Sequence, residues 1–253
     1  FADIGAIGLN TGLMVMLAVA STVALGFFLA KLLKLSPDFG LIAGGSVGIC
    51  GASAALAVAS VLPKTKENEQ FTLLVVVGVT VLSTIAMVTY PFMLQMMDIG
   101  ALSAGIFLGA TIHDVAQVVA AGMLFGPEAG DVATVVKLFR VALLLPVVLF
   151  ISIFFGAQKS TTKLGWGSLR LIPTFLLGFV ALSIVASMQI LPSAITQQIG
   201  GLSRWMLVIA IGAAGLKTNF QELAKLGWQP VLMLIIETVF IAAVGFVFIY
   251  KLS

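Results

Sequence analysis

Charged residues are scarce in this chain of 253 residues, of which only 9% are Asp, Glu, Lys or Arg. A soluble protein carries about a quarter charged residues, because its surface has to be hydrated. Hydrophobic residues make up 60% of the chain, and the mean hydropathy is +1.19. This balance excludes a soluble globular protein and indicates a polytopic membrane protein whose charges lie in short loops.

Cysteine and histidine are each present once, as Cys50 and His113. One cysteine excludes a disulfide framework and a cysteine-rich metal site, and one histidine leaves zinc catalysis with too few ligands. The 13 basic and 10 acidic residues form no basic cluster, so a nucleic-acid partner is not expected. The sequence therefore predicts no metal and no cofactor, and the lipid bilayer is the partner that its composition implies.

Uncharged windows divide the chain into eight hydrophobic segments, most of them near the ~20 residues that cross a bilayer. They cover approximately residues 9–33, 39–62, 70–97, 99–125, 131–157, 170–191, 201–216 and 228–251. We therefore expect an all-α fold with a single transmembrane domain over residues 1–253. If all eight segments cross, Lys31 and Lys34 lie on one side of the membrane and Lys64 and Lys66 on the other, and the first side is favoured as cytoplasmic.

Three segments are candidates for helices that break inside the membrane. Residues 39–62 contain four glycines before residue 49 and a fifth at residue 51. Residues 99–125 contain Gly105 and Gly109 before His113 and Asp114, and the short segment 201–216 ends in further glycines. Close helix packing through small residues is the plainer explanation for any one of them. A broken backbone in the membrane has to be satisfied by protein or by a water-filled cavity.

Two internal alignments indicate an inverted repeat. At an offset of 61 the second segment matches the fourth, and residues 50–53 stand opposite residues 111–114. At an offset of 219 the two ends of the chain match, and Asp3 faces Glu222. The first and eighth segments would cross in opposite directions, as in many secondary transporters. Because a partner for residues 212–218 would have to precede Phe1, we also expect that N-terminal helices are missing.

Charged groups at membrane depth cost at least ~2.5 to 3.5 kcal/mol and therefore mark candidate functional positions. His113, Asp114 and Gln117 share one broad face of the fourth segment, and Lys137 and Arg140 share a face of the fifth. Asp114 with Arg140 or Lys137 is the expected charge compensation. One interpretation is a buried ion pair that only fixes helix packing. The other interpretation is an anion site, in which one cation pairs with Asp114 and the second cation binds the anion.

An anion would find further donors at the broken helices. Their N-termini would present backbone N–H groups, and Ser53 and Thr111 would add hydroxyl groups. His113 would exchange a proton near neutral pH, which would permit proton-linked transport. Cys50 is interpreted as a packing residue rather than a nucleophile. Glu237, alone in a hydrophobic run, is assigned no role.

Four sequence blocks occur in an order and spacing that match a known family. They are GICGASA at residues 48–54, GATIHDVAQVVAAG at 109–122, VVKLFRV at 135–141 and GLKT at 215–218. In these blocks the chain closely resembles the bacterial sulfate exporter family of conserved membrane proteins, whose members extend further at the N-terminus. The resemblance implies a secondary transporter distantly similar to the bile-acid-symporter superfamily, with inverted repeats that cross at broken helices around a central site.

We therefore expect a multi-pass transporter of the bacterial inner membrane that moves sulfate, sulfite or an organosulfonate by alternating access. The predicted substrate site consists of Gly48, Cys50, Gly51, Ala52, Ser53, Thr111, His113, Asp114, Gln117, Lys137 and Arg140. A proton or another ion would be the coupling partner, and a homo-oligomer is compatible with this function. The alternatives are a passive anion channel, a non-transporting scaffold, and an intramembrane enzyme with Cys50 as nucleophile and His113 as base.

Overall fold

The computed structural model describes residues 8–156 and 227–252, together with single helical positions between residues 181 and 209. Within the two described ranges all regular elements are helices. They are α1 (Leu9–Leu32), α2 (Pro37–Gly48), α3 (Ala52–Val61), α4 (Lys66–Met96), α5 (Ala101–Thr111), α6 (Val115–Phe125), α7 (Pro127–Ala142), α8 (Leu144–Ile151), a π-helical turn (Ser152–Gly156) and α9 (Gln229–Leu252). The predicted all-α polytopic membrane fold is confirmed.

These helices form one compact unit that consists of residues 1–159 and 228–253. Residues 160–227 form a second unit, most of which lies outside the described residues. Three predictions concern that part of the chain or its N-terminal end: the segment at residues 170–191, the broken helix at 201–216, and the match of Asp3 with Glu222. The structure does not describe them.

Four stretches of helix in the described ranges are long and apolar enough to cross a membrane. They are Leu9–Leu32, Lys66–Met96, Pro127–Phe155 and Gln229–Lys251, and they correspond to the first, third, fifth and eighth predicted segments. Polar caps mark the ends of helices between them. Ser36 accepts a hydrogen bond from the backbone N–H of Phe39 at the start of α2, and Thr65 accepts one from Asn68 at the start of α4.

Helices α2 and α3 form a hairpin, which we call the first hairpin. The arms contain 12 and 10 residues, so each is about 15–18 Å long, roughly half the thickness of the hydrocarbon core. A Cβ atom built on Gly45 would lie 2.9 Å from Val58, which requires that α3 folds back along α2. At the open end, Asn68 Nδ2 donates to Asp38 Oδ2 at 2.9 Å. The chain therefore leaves the hairpin at the face where it entered.

Helices α5 and α6, of 11 residues each, form the second hairpin. The carbonyl oxygen of Ala129, on α7, would lie 2.8 Å from a Cβ on Gly105 and 3.3 Å from one on Gly122. A continuous helix would separate these two glycines by about 25 Å, so the arms lie side by side. Because α4 crosses the bundle between the two hairpins, the second hairpin enters from the opposite face to the first.

The two hairpins change the topology that eight crossing segments would produce. The fold-back of α3 places Lys31, Lys34, Lys64 and Lys66 at the same end of the bundle, which we call the lysine face. The prediction that these lysines are divided between two sides is wrong. Hydropathy reports the length of an apolar segment, whereas only contacts between its halves show that they are antiparallel.

Helix α9 runs antiparallel to α1, as the internal alignment predicts for the two ends of the chain. Near the end of α1, a Cβ on Gly26 would lie 2.5 Å from Glu237 Oε1, in the first half of α9. Further along α9, the ring of Phe246 contacts Phe107 on the second hairpin at 6.5 Å between centroids. Helix α9 therefore begins at the lysine face and ends at the opposite face.

Candidate functional site

The tips of the two hairpins, residues 49–51 and 112–114, meet in the interior of the bundle. Gly51 has a φ of 71°, where a residue with a side chain would be strained. A Cβ on Gly51 would lie 3.5 Å from His113 Cβ, so the two tips are in direct contact. The predicted broken segments 39–62 and 99–125 are thus both interrupted in the structure, and the two interruptions are adjacent in space.

Hydroxyl groups hold the shape of each tip. Ser46 Oγ donates to the carbonyl oxygen of Gly51 at 2.9 Å and closes the first tip. Ser83, in the middle of α4, accepts hydrogen bonds from the backbone N–H groups of His113 and Asp114 at 3.2 and 3.1 Å. The crossing helix α4 therefore positions the second tip through one side chain.

Lys137 and Arg140, both on α7 and both 0% exposed, bind the carbonyl groups at the ends of α2 and α5. Lys137 Nζ donates to the carbonyl oxygens of Ile49 and Ile112 at 2.8 Å each. Arg140 donates from Nε to Gly48 at 2.6 Å, from Nη1 to Ala110 and Ile112 at 2.8 and 3.1 Å, and from Nη2 to Val47. The C-terminal carbonyls of a helix lack intrahelical partners and carry partial negative charge, so two cations satisfy both converging helix ends.

Asp114 caps a helix and does not bind either cation. Its Oδ1 accepts hydrogen bonds from the backbone N–H groups of Ala116 and Gln117 at 2.8 and 3.2 Å, at the start of α6. The predicted pairing of Asp114 with Arg140 or Lys137 is therefore wrong. The carbonyl groups that bind the cations come from two hairpins that folding brings together, and residue spacing along α7 does not show them.

The cap predicts a specific effect of replacing Asp114. Asp114→Ala is expected to lower the free energy of unfolding by about 1 kcal/mol, because two N–H groups lose their acceptor. Asp114→Asn keeps an oxygen acceptor and should lie close to wild type. Thermal unfolding in detergent measures both variants. Equal destabilisation by Asn and Ala would show that the negative charge, and not the cap, stabilises the protein.

The N-terminus of α3 differs from that of α6, because its N-cap residue provides no side-chain hydrogen bond. Its N-cap residue is Gly51, and Ala52 is only half buried. Ser53 is exposed; its Oγ lies 2.9 Å from Cys50 Sγ and donates to the Cys50 carbonyl at 3.3 Å. The first turn of α3 can therefore present backbone N–H groups to an anion, while the hydroxyl proton of Ser53 is used by the Cys50 carbonyl.

The other predicted site residues are buried or only partly exposed. Thr111 donates to the carbonyl oxygen of Phe107 in its own helix at 2.7 Å, so its hydroxyl proton is already used. His113 Nε2 lies 3.1 Å from Thr238 Oγ1 on α9, and Nδ1 has no partner among the described residues. Gln117 Nε2 donates to Thr84 Oγ1 at 2.9 Å. The structure thus brings the predicted residues to the two tips but gives most of them protein partners.

Sequence analysis missed Ser83, Thr84 and Thr238, which hold the second tip from two neighbouring helices. The signal that could have found Ser83 is a hydroxyl group in the middle of an apolar helix, and the same applies to Thr238 beside Glu237. Within the described ranges, no three His, Cys, Asp or Glu side chains could together hold a metal ion.

The family of this protein follows from the match of its sequence to a family model. A family model described as Conserved hypothetical protein 698 matches residues 1–234. The chain belongs to this family. The expected membership in a family of conserved membrane proteins is therefore confirmed.

Members of the family resemble the chain over almost its whole length. UPF0324 membrane protein CT0845 of Chlorobaculum tepidum is 46% identical, over 95% of this chain and 67% of the relative. UPF0324 membrane protein TauZ of Paracoccus denitrificans is 42% identical, over 94% of this chain and 71% of the relative. UPF0324 membrane protein RA0957 of Rhizobium meliloti is 40% identical, over 94% of this chain and 68% of the relative. No solved structure matches the chain.

Proposed function

We propose that this protein is a secondary transporter that carries a small inorganic or sulfur-containing anion across the bacterial inner membrane by alternating access. The observation that carries the proposal is the pair of helical hairpins that enter from opposite faces and meet at their tips. Non-helical backbone at membrane depth is tolerated where protein buries it or where it lines a cavity, and transporters use such places as binding sites. Movement of either hairpin would open the meeting point toward one face.

The charges around the tips support an anion as the substrate. Lys137 and Arg140 place two positive charges in the interior, and their hydrogen bonds go to carbonyl groups that carry only partial charge. Asp114 supplies one negative charge, which the N-terminus of α6 already binds. The uncapped N-terminus of α3 adds the positive end of a helix dipole beside Ser53. These groups together favour a negatively charged ligand.

Sulfate, sulfite and organosulfonates are the anions that we propose. Each has several oxygen acceptors on one compact centre, which suits backbone N–H donors that converge at one helix N-terminus. The resemblance of residues 48–54 and 109–122 to the sulfate exporter family favours the same class. The anion would bind at Gly51, Ala52 and Ser53, with the two cations behind the tips providing a favourable potential.

We further propose that the lysine face is cytoplasmic. This face has Lys31, Lys34, Lys64 and Lys66 in its loops or at the helix ends, whereas Lys251 is the lysine at the opposite end of the described helices. Lysines and arginines in short loops concentrate on the cytoplasmic side of membrane proteins. The first hairpin would then open toward the cytoplasm and the second toward the outside.

Flux into proteoliposomes tests the proposed function. The purified full chain should take up labelled sulfate, sulfite or methanesulfonate with saturation and should exchange it against the same anion inside. Uptake that does not saturate and shows no exchange would indicate the passive channel, and no uptake of any of the three would refute the proposal. Cys50→Ser should transport like wild type, since Cys50 Sγ contacts Ser53 and the His113 Nε2 contacts Thr238. Loss of function in that variant would favour the intramembrane enzyme.

A further inference from the structure

Glu237 is a carboxylic acid in the interior of the bundle that the transport site described above does not use. Its side chain is 0% exposed, and neither carboxyl oxygen has a hydrogen-bond partner among the described residues. An isolated ionised carboxylate in such a place is very costly, and in practice the group stays neutral. An intramembrane carboxyl without a partner therefore needs a function or a bound cation.

The surroundings of Glu237 are backbone atoms of α1 and α2. A Cβ on Gly26 would lie 2.5 Å from Glu237 Oε1 and 2.5 Å from the carbonyl oxygen of Gly40. Glu237 Oε1 and the Gly40 carbonyl oxygen therefore lie within about 5 Å of each other. A carboxylate would face the negative end of this carbonyl dipole without a donor to compensate it, which favours the neutral acid.

We propose that Glu237 is the proton-binding site of the transporter, which takes up and releases the proton that moves with the anion. This inference rests on the proposed transport function and names its coupling ion. A single carboxyl group is sufficient to bind and release a proton, whereas a metal cation needs several ligands. Glycine at residue 26 makes space for the carboxyl group, because a Cβ there would lie 2.5 Å from Glu237 Oε1.

Among the described residues, no charged side chain bonds to Glu237. Four helices pack against α9, namely α1, α2, α4 and α5. Their ionisable side chains are Lys31 on α1, Asp38 on α2, and Lys66, Glu67, Glu69 and Tyr90 on α4, while α5 has none. None of these side chains forms a hydrogen bond with a carboxyl oxygen of Glu237. The adjacent residue Thr238 contacts His113 in the second tip.

Helix α9 connects the proton site to both hairpins. Glu237 faces Gly40 on α2, the arm whose C-terminal carbonyl groups bind Lys137 and Arg140. The next residue, Thr238, contacts the tip of the second hairpin. Loss of the proton would place a negative charge against the backbone of α2 and disfavour its present position beside α1 and α9. Protonation of Glu237 therefore shifts the conformational equilibrium of the first hairpin, which also provides the proposed anion site. Such a shared conformational change is the physical requirement for coupling.

Infrared spectroscopy tests the proton site without any transport. The wild-type protein at neutral pH should show the carbonyl band of a protonated carboxylic acid. Glu237→Gln, which is similar in shape and always neutral, should lack this band. Glu128→Gln removes an exposed carboxyl at the start of α7 and should leave the band unchanged. Absence of the band from wild type, or its persistence in Glu237→Gln, would overturn the proposal.

Proton movement in proteoliposomes tests the coupling. A pH-sensitive dye inside wild-type and Glu128→Gln liposomes should report proton movement with sulfate, sulfite or methanesulfonate flux. In Glu237→Gln, anion exchange should persist while proton movement falls to the rate of protein-free liposomes. Glu237→Asp keeps a titratable group and should retain part of the proton movement. Wild-type proton movement in Glu237→Gln, or anion flux driven by a sodium gradient and indifferent to pH, would overturn the coupling.

The two proposals fail in different ways. If wild type moves none of the three anions, the proposed transport function is refuted, and the infrared band still decides whether Glu237 holds a proton. If wild type moves an anion without a proton, the transport function stands and the coupling role of Glu237 is refuted.

Discussion

Arg140→Met is expected to lower the free energy of unfolding by about 3–5 kcal/mol, as removal of one partner from a buried charged network usually does. The guanidinium binds four carbonyl oxygens from both hairpins, and all of them lie in the interior. Methionine fills much of the same volume but donates no hydrogen bond. The carbonyl groups of two helix ends would then face each other without a donor, and the tips would separate.

Unfolding in detergent, followed by circular dichroism, measures this loss. Lys137→Met should cost less, about 2 kcal/mol, because Lys137 binds two carbonyl oxygens. Lys31→Met, at an exposed position on the lysine face, should stay within about 0.5 kcal/mol of wild type. An Arg140→Met protein as stable as Lys31→Met would show that the tips do not depend on the buried cation.

Ser53→Asp is expected to reduce anion transport on the order of 100-fold while the protein stays folded, because a like charge at the binding site costs several kcal/mol. Residue 53 stands opposite residue 114 in the internal alignment, and Asp114 caps the N-terminus of α6. An aspartate at residue 53 would place a carboxylate in the first turn of α3, beside the backbone N–H groups of the helix N-terminus. It would occupy the N–H groups offered to the substrate and repel the anion.

Two variants separate these effects from a general disturbance of α3. Ser53→Asn introduces a side chain of the same shape as aspartate without a charge and should lose less transport than Ser53→Asp. Ser60→Asp adds the same charge to an exposed position near the end of α3, away from the tip, and should transport like wild type. Saturable uptake of sulfate, sulfite and methanesulfonate measures all three. Equal transport by Ser53→Asp and Ser60→Asp would refute the placement of the anion at the start of α3.

The hydrophobic segments and the two interruptions could be predicted from residue patterns, since both are local. Apolar windows gave the four membrane-crossing stretches within a few residues, and Pro127 and Thr65 lie at helix starts as their residue types favour. The glycines before residue 49 and the polar pair His113 and Asp114 mark the breaks. Each of these signals depends on neighbours along the chain.

The partners of the buried charges could not be predicted, because they are backbone atoms that residue spacing does not identify. Lys137 and Arg140 were expected to face a carboxylate or a substrate, yet they bind carbonyl groups of two hairpins. The groups around Glu237 could not be predicted either, because Gly26 and Gly40 are separated from it by about 200 residues of sequence.

By itself, the sequence determined that this protein is an all-α membrane protein, where its apolar helices lie, and that polar groups accumulate at residues 48–53 and 111–117. Only the tertiary structure decided that residues 39–62 and 99–125 fold back instead of crossing, and therefore which lysines share a face. The physical reason is that burial of an apolar segment depends on its composition. The direction in which it returns depends on contacts with other helices, such as those of α7 with both tips.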